Sequence, residues 1–281
     1  MRVEATKVGD YNRIRVRPVT GSIGAEIDQV DLRDLDDETV AELHDAWMRH
    51  KVLFFHGQEL TQADHVAYVR NFGELEVHPF VRHVEGHPEM LVLESTPDSF
   101  QAAENWHSDV TFRECPPTGS VLRGRIVPEW GGDTCFANME LAYELLSDEV
   151  KEEIDGAYAV HSYMKAFGRT MNEEDRAEAA ERFPDQKHPV VRTHPVTGAK
   201  SLFVNRIFTL AIDGIEPERS RSLLWDLYAQ AKLPEVQCRF RWREGSLAQW
   251  DNRCTQHYAV PDHGGTHRRM ERVTLAGDRP A

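Results

Sequence analysis

The sequence predicts a mainly β protein with helical cover, built as an antiparallel sandwich or jelly roll. Three observations predict it. After Gly73, short apolar runs recur between Gly, Pro and Asp clusters, the pattern of many short strands. Helical periodicity is concentrated early in the chain, with a few helices inserted late. Strands do not alternate regularly with helices, and no Gly-x-Gly-x-x-Gly or phosphate loop occurs, which argues against a Rossmann sheet.

The elements follow in order. Residues 1–12 are polar and read as a flexible N-terminus. Residues 13–32 alternate around Gly21 and Gly24, as strands joined by a turn. Asp36 and Asp37 open a helix that places Val40, Leu43 and Trp47 on one face. Lys51 to Phe55 reads as a buried strand. Thr61 to Phe72 reads as a helix, with Thr61 and Asp64 as a capping box and Gly73 as the stop.

Strands are expected at 91–93, around His107, at 120–127 and 131–136, and at 158–163. Two short helices fall near 139–155. Residues 173–183, rich in Glu, Ala and Arg, are a surface helix or a lid, and the whole stretch 165–188 is expected to be a lid or insertion. Strands at 189–194 and 200–204 flank the turn Pro195-Val196-Thr197-Gly198. A helix over 216–231 presents Leu223, Leu224, Leu227 and Tyr228. Strands at 237–242, 247–251, 256–260 and 270–276 close the chain.

Bulk properties bound the function. The chain has 281 residues, enough for one large domain over 1–281. Its 47 acids against 33 Lys and Arg give a formal charge of −14, which excludes a nucleic-acid partner held by basic surface. A local cluster of Arg and metal can still bind an anionic substrate. No apolar run reaches the length of a membrane span, and Met1-Arg2-Val3-Glu4 shows no signal-peptide core. The four cysteines, Cys115, Cys135, Cys238 and Cys254, have no zinc-ribbon or disulfide spacing, as expected of reduced thiols in the cytoplasm. A homo-oligomer is left open.

The chemistry centres on Asn105-Trp106-His107-Ser108-Asp109-Val110-Thr111-Phe112. On an extended strand His107 and Asp109 would point to one side. A further ligand from a distant segment would complete a face of two histidines and one carboxylate, which suits non-haem Fe(II) oxygenases because opposite positions stay open. A lone His-x-Asp is more often a structural hydrogen bond. The C-terminal part carries Trp250-Asp251-Asn252-Arg253 with His257 close behind, then Arg268 and Arg272, which share one face of a regular strand.

These stretches, together with Gly131-Gly132-Asp133-Thr134, resemble the taurine dioxygenase family, which includes phenoxyacetate dioxygenases and alkylsulfatases. The resemblance runs from about Val16 to Asp278. It implies an Fe(II)- and 2-oxoglutarate-dependent oxygenase on a double-stranded β-helix, using O2. His107, Asp109 and His257 would hold Fe(II). Arg268 would receive the far carboxylate of 2-oxoglutarate with its planar fork, and Thr134 would add a hydroxyl. Arg272 would grip the anionic group of a small organic substrate, with His78 beside it, the Val110 backbone close by, and Phe167 and Phe208 as walls. Trp250, Asp251, Asn252 and Arg253 would position the His257 strand.

Two positions depart from the taurine pattern. A Tyr and an Asn near the amine of taurine align with Val81 and Ala103. A buried ammonium would then lack partners, which is costly. The expected substrate is an organosulfonate, taurine or a less polar relative, with an alkyl sulfate ester or an aryloxyalkanoate as alternatives. Two distant readings also remain: a metal hydrolase, since His-Asp-His also suits Zn(II), and a non-catalytic jelly-roll binding protein.

Overall fold

The computed structural model describes residues 5–77, 83–98 and 105–281. Residues 5–12 run without regular structure, with the Tyr11 hydroxyl donating to Asp45 at 2.8 Å. The first strands, β1 (Arg15–Pro18) and β2 (Ala25–Asp28), pair antiparallel. Helix α1 (Asp37–His50) starts on an Asp36 cap that accepts from the Thr39 N–H. It ends at Lys51, which adopts φ +65°. Lys51, expected in a strand, is therefore the left-handed residue that turns the chain, and β3 is Val52–Phe55. Helix α2 (Gln62–Arg70) has the Thr61–Asp64 capping box in full.

The chain then enters β4 (His83–Val84), β5 (His87–Ser95), β6 (Gly119–Ile126) and β7 (Thr134–Asn138). Helices α3 (Met139–Glu144) and α4 (Asp148–Ile154) precede β8 (Tyr158–His161). The stretch expected as lid or insertion holds α5 (Tyr163–Phe167), α6 (Glu173–Arg182) and the start of β9 (Gln186–Pro189). Strands β10 (Val191–Thr193) and β11 (Lys200–Leu202) form a hairpin. After β12 (Thr209–Ile212) comes α7 (Pro217–Gln230), which buries Leu223, Leu224 and Leu227. The last strands are β13 (Gln237–Phe240), β14 (Leu247–Asp251), β15 (Thr255–Ala259) and β16 (Arg268–Leu275).

One large sheet has the order β1-β2-β3-β14-β6-β16-β5-β4, and a smaller one has β13-β7-β15. Pairing is antiparallel in both except between β2 and β3. Phe54, Trp250 and Met270 from the large sheet meet Phe136, Cys238 and Phe240 from the small one. Phe54 and Phe240 stack at 4.2 Å. Such aromatic contacts combine large apolar burial with a fixed geometry. A second cluster packs α1 and α2 on the outer face of the large sheet through Leu43, Trp47, Tyr68 and Val121. A third fills the space around α3 and α7 with Met139, Ile154, Leu202, Leu223 and Leu227. Residues of both sheets line the cavity that holds the site. No helix among the described residues is long and apolar enough to cross a membrane.

Buried histidines under this core make its stability pH-dependent. Burial, with the Arg123 charge nearby, pushes the His65 imidazole down to about 3. Burial beside Lys51 pushes His50 down to about 4. The unfolded chain takes up these protons below its own pKa of about 6.5 while the folded chain stays neutral, so stability falls as pH drops below that value. The thermal midpoint should decline between roughly pH 6.5 and 4. In His65→Gln that decline should be shallower, measured by calorimetry across the same range; an unchanged slope would clear His65 of the effect.

Candidate active site

The first half of the site is a turn, not the regular strand the sequence suggested. His107 makes an isolated antiparallel bridge with His257, and the chain then bends. The bridge is reciprocal: His107 N–H donates to the His257 carbonyl at 3.1 Å, and His257 N–H donates back at 2.8 Å. Val110, just past the bend, has φ +40°. A β-branched residue there costs on the order of 1–3 kcal/mol and needs support from its surroundings.

Asn252 gives that support. Its Oδ1 accepts from the Asp109 backbone N–H at 2.7 Å. Its Nδ2 donates to the Asp109 carbonyl at 3.2 Å and to the Pro117 carbonyl at 3.1 Å. Behind the bend, the Thr111 hydroxyl accepts from Asn205 at 3.0 Å and pairs with His161 Nδ1 at 2.9 Å. The Trp-Asp-Asn-Arg stretch was expected to position the His257 strand, and Trp250 packs 4.9 Å from the His257 ring; Asn252 in addition clasps the Asp109 bend. Asp251 and Arg253 form a separate buried pair, with Arg253 donating to both Asp251 oxygens. His194 joins them at 3.0 Å.

The result brings three donors together. One ligand atom each from His107, Asp109 and His257 lies within 4.8 Å of the others. Both imidazole Nε2 atoms are 3.8 Å from Asp109 Oδ1. His107 Nδ1 is paired with the Asn105 carbonyl at 2.8 Å. That bond keeps its proton on Nδ1 and leaves the Nε2 lone pair facing the cluster. Burial holds the His107 and His257 imidazoles neutral, His257 down to about 3 with the neighbouring His107 contributing. Burial raises the Asp109 carboxyl, but Arg272 and the two imidazoles outweigh it and bring it to about 2. Two neutral imidazoles and one carboxylate are a donor set suited to a divalent ion of the iron type. Among the described residues, buried Asp109 Oδ2 has no partner, which also fits a charged guest.

His194, Asp251 and Cys254 also converge. There, both Asp251 oxygens are taken by Arg253, and His194 Nδ1 accepts the Val196 and Thr197 N–H groups. That cluster is a structural network.

Val110, Thr134, Phe167, Phe208, Arg268 and Arg272 line one cavity of about 1550 Å³ with the triad. Arg268 and Arg272 enter it from β16, although a register shift between Arg269 and Met270 interrupts the regular strand. Among the described residues, buried Arg268 Nε has no partner. Burial lowers the guanidinium to about 10, Asp133 opposing, so it stays charged at neutral pH. A Cβ on Gly132 would stand 3.3 Å from Arg268 Cδ and Nε, so the glycine makes room for this side chain. Thr134 accepts from the Trp242 indole at 2.9 Å, which frees its own hydroxyl proton for a ligand. Arg272 Nη1 donates to Asp109 Oδ1 at 3.1 Å, and its buried Nε has no partner among the described residues. Phe208 is buried and packs on Phe112, whereas Phe167 is 43% exposed at the rim. His78, Val81 and Ala103 lie outside the described residues.

Because Asn252 fixes the Asp109 backbone from both sides, Asn252→Ala should weaken Fe(II) binding by roughly 10–100-fold, the range for lost outer partners of metal ligands. Anaerobic Fe(II) titration of the folded variant measures this. Wild-type affinity would show that the bend holds itself.

Known proteins agree with this geometry. Residues 15–274 match the family model described as "Taurine catabolism dioxygenase TauD, TfdA family". An alkylsulfatase of Acinetobacter baylyi is 40% identical, over 95% of this chain and 86% of its own. An alpha-ketoglutarate-dependent sulfate ester dioxygenase of Pseudomonas putida is 39% identical, over 94% and 90%. The crystal structure of a taurine dioxygenase from Burkholderia xenovorans superposes with a TM-score of 0.84 at 38% identity, over 96% of this chain and 91% of that one. Alpha-ketoglutarate is 2-oxoglutarate, so the hydrolase and binding-protein readings fall away. This chain belongs to the TauD, TfdA family and is an Fe(II)- and 2-oxoglutarate-dependent dioxygenase.

Proposed function

We propose that the enzyme hydroxylates the carbon beside the ester oxygen of a small alkyl sulfate. The observation that carries this reading is Arg272, set beside Asp109 in a cavity walled by Leu93, Leu122, Val110 and Phe208. That wall offers a cation for an anionic head and apolar surface for a carbon chain. The relatives at 40% and 39% identity, named for sulfate ester chemistry, support the same reading. An organosulfonate, the sequence expectation, is the second reading, favoured by the likeness to a taurine dioxygenase.

In this reading the facing sheets form a double-stranded β-helix, the chain is one catalytic unit, and 165–188 is an insertion that walls the cavity through Phe167. His107, Asp109 and His257 hold Fe(II). Arg268 and Thr134 hold the far carboxylate of 2-oxoglutarate, the guanidinium by charge and the hydroxyl by its free proton. Bound iron supplies one chemistry: it couples decarboxylation of 2-oxoglutarate by O2 to insertion of oxygen into a substrate C–H bond.

The side chains decide which bond is presented. Arg272 fixes the sulfate so that the adjoining carbon faces the triad, and this positioning is the main contribution of the protein. Phe208 and Val110 exclude water beside that carbon. The hydroxylated sulfate ester then collapses. Its O–H proton leaves, the C–O bond to sulfate breaks, and an aldehyde and sulfate depart. With a sulfonate the C–S bond breaks and sulfite leaves. Succinate and CO2 are the co-products in both cases.

A succinate-release assay with Fe(II) and 2-oxoglutarate should rank alkyl sulfates above alkanesulfonates, and both above taurine and aryloxyacetates. Preference for taurine over an unaminated alkanesulfonate would refute the loss of amine recognition argued from Val81 and Ala103. Arg272→Ala should lower kcat/KM by about two orders of magnitude, as for a truncated buried charge contact. His107→Ala should abolish substrate-dependent succinate formation, and retained turnover would end its assignment as a ligand.

A further inference from the structure

The active-site cavity, about 1550 Å³, reaches well beyond the residues assigned to the metal, 2-oxoglutarate and the sulfate head. The extra space runs outward between α5, the segment 206–211 and α7, where Leu210, Ile215, Leu224 and Trp225 line it. Two elements there repeat one arrangement. Helix α5 presents Lys165 and Phe167, and the segment before β12 presents Arg206 and Phe208. Each supplies a cation and, two residues on, an aromatic ring.

These cations are held but not neutralised. Lys165 Nζ donates to the Thr209 carbonyl and lies 5.7 Å from the centre of the Tyr228 ring. Two of its three protons remain for another acceptor. Arg206 lies 4.9 Å from the centre of the Trp225 ring. Among the described residues, no carboxylate pairs with either side chain within 4.0 Å. Burial, with Arg206 adding repulsion, pushes Lys165 down to about 8, so it is mostly charged at neutral pH. Two cations that disfavour each other in a chain of net charge −14 mark a place for an anion. A neighbouring cavity of about 380 Å³ shares Arg206, Trp225 and Tyr228 and adds Lys232.

We propose that Lys165 and Arg206 form a second anion site, which binds a carboxylate, sulfate or sulfonate at the far end of the substrate. The substrate is then an elongated dianion. Its reacting end lies at Arg272, its apolar middle lies along Phe208 and Phe167, and its distal charge lies between Lys165 and Arg206. This rests on the reading of Arg272 given above.

The test compares alkyl sulfates with ω-carboxylate counterparts of matching length, across a homologous series. Binding is measured by anaerobic titration of the Fe(II)–2-oxoglutarate enzyme followed by absorbance, and turnover by succinate release. At the best length the dianion should bind at least about tenfold more tightly than its monoanion, as for a desolvated charge contact. Lys165→Met and Arg206→Leu should each cut that ratio severalfold, and Arg206→Lys should restore part of it. A ratio near one at every length overturns the proposal. So does a ratio that neither substitution changes, or a changed oligomeric state with the ratio intact, which would assign the cations to a subunit contact. Turnover of monoanions with no dianion preference removes only the second site. Failure of every sulfate and sulfonate to release succinate removes the sulfate and sulfonate reading as well.

Discussion

The reciprocal backbone bridge between His107 and His257 is the constraint on which the site depends. The two histidines belong to segments far apart in the chain, and without this bridge nothing local would hold their rings 4.2 Å apart. A backbone bridge suits that purpose because its geometry does not depend on rotamers. It fixes two of three donors as a by-product of pairing. The third donor, Asp109, follows from the bend, and the bend follows from Asn252. One amide side chain thus converts a strand pairing into a three-donor cluster.

Much of this was legible in the sequence. The capping box at Thr61, the helix carrying Leu223, Leu224 and Leu227, and the closing strands each leave local signals, because caps and periodicity act within a few residues. The triad and both arginines were legible through the likeness of their motifs to those of a known family. The bend at Val110 was not. Nothing in a β-branched residue announces φ +40°, since its intrinsic preference is the opposite, and only tertiary hydrogen bonds hold it there. The role of Asn252 was hidden for a related reason. It sits near His257 in sequence, which suggested a local function, while its contacts reach Asp109 across the fold. Lys165 and Arg206 carried no signal either, because a cation becomes informative only when its neighbours are known to include no acid.

The distribution of charge explains how so acidic a chain can accept anions. Arg268 and Arg272 are drawn into the cavity on β16, and Asp109 is balanced locally by Arg272. Buried charges interact through a weaker dielectric than surface ones and are less screened by salt. A few interior cations therefore outweigh many exposed carboxylates at the point where a ligand binds. The net charge of −14 repels acidic macromolecules, and the small cavity field is left to select small anions.

That selection carries a cost in stability, and the fold shows where it is offset. Among the described residues, buried Asp109 Oδ2, Arg268 Nε, Arg272 Nε and His257 Nδ1 have no partner. Such groups are costly unless paired, and a ligand bound in the cavity would pair them. The same strands that carry these groups also carry the opposing contribution. Beside Arg268 and Arg272 on β16 stand Met270 and Val273, both fully buried. Beside His257 stand Phe136 and Trp250, with Trp250 at 4.9 Å from its ring. The alternation of a strand places an unsatisfied polar group and a fully packed apolar one within a few residues of each other. The donor cluster is held rigid by the core that offsets its cost, so a cavity made in that core should loosen the site before it unfolds the protein.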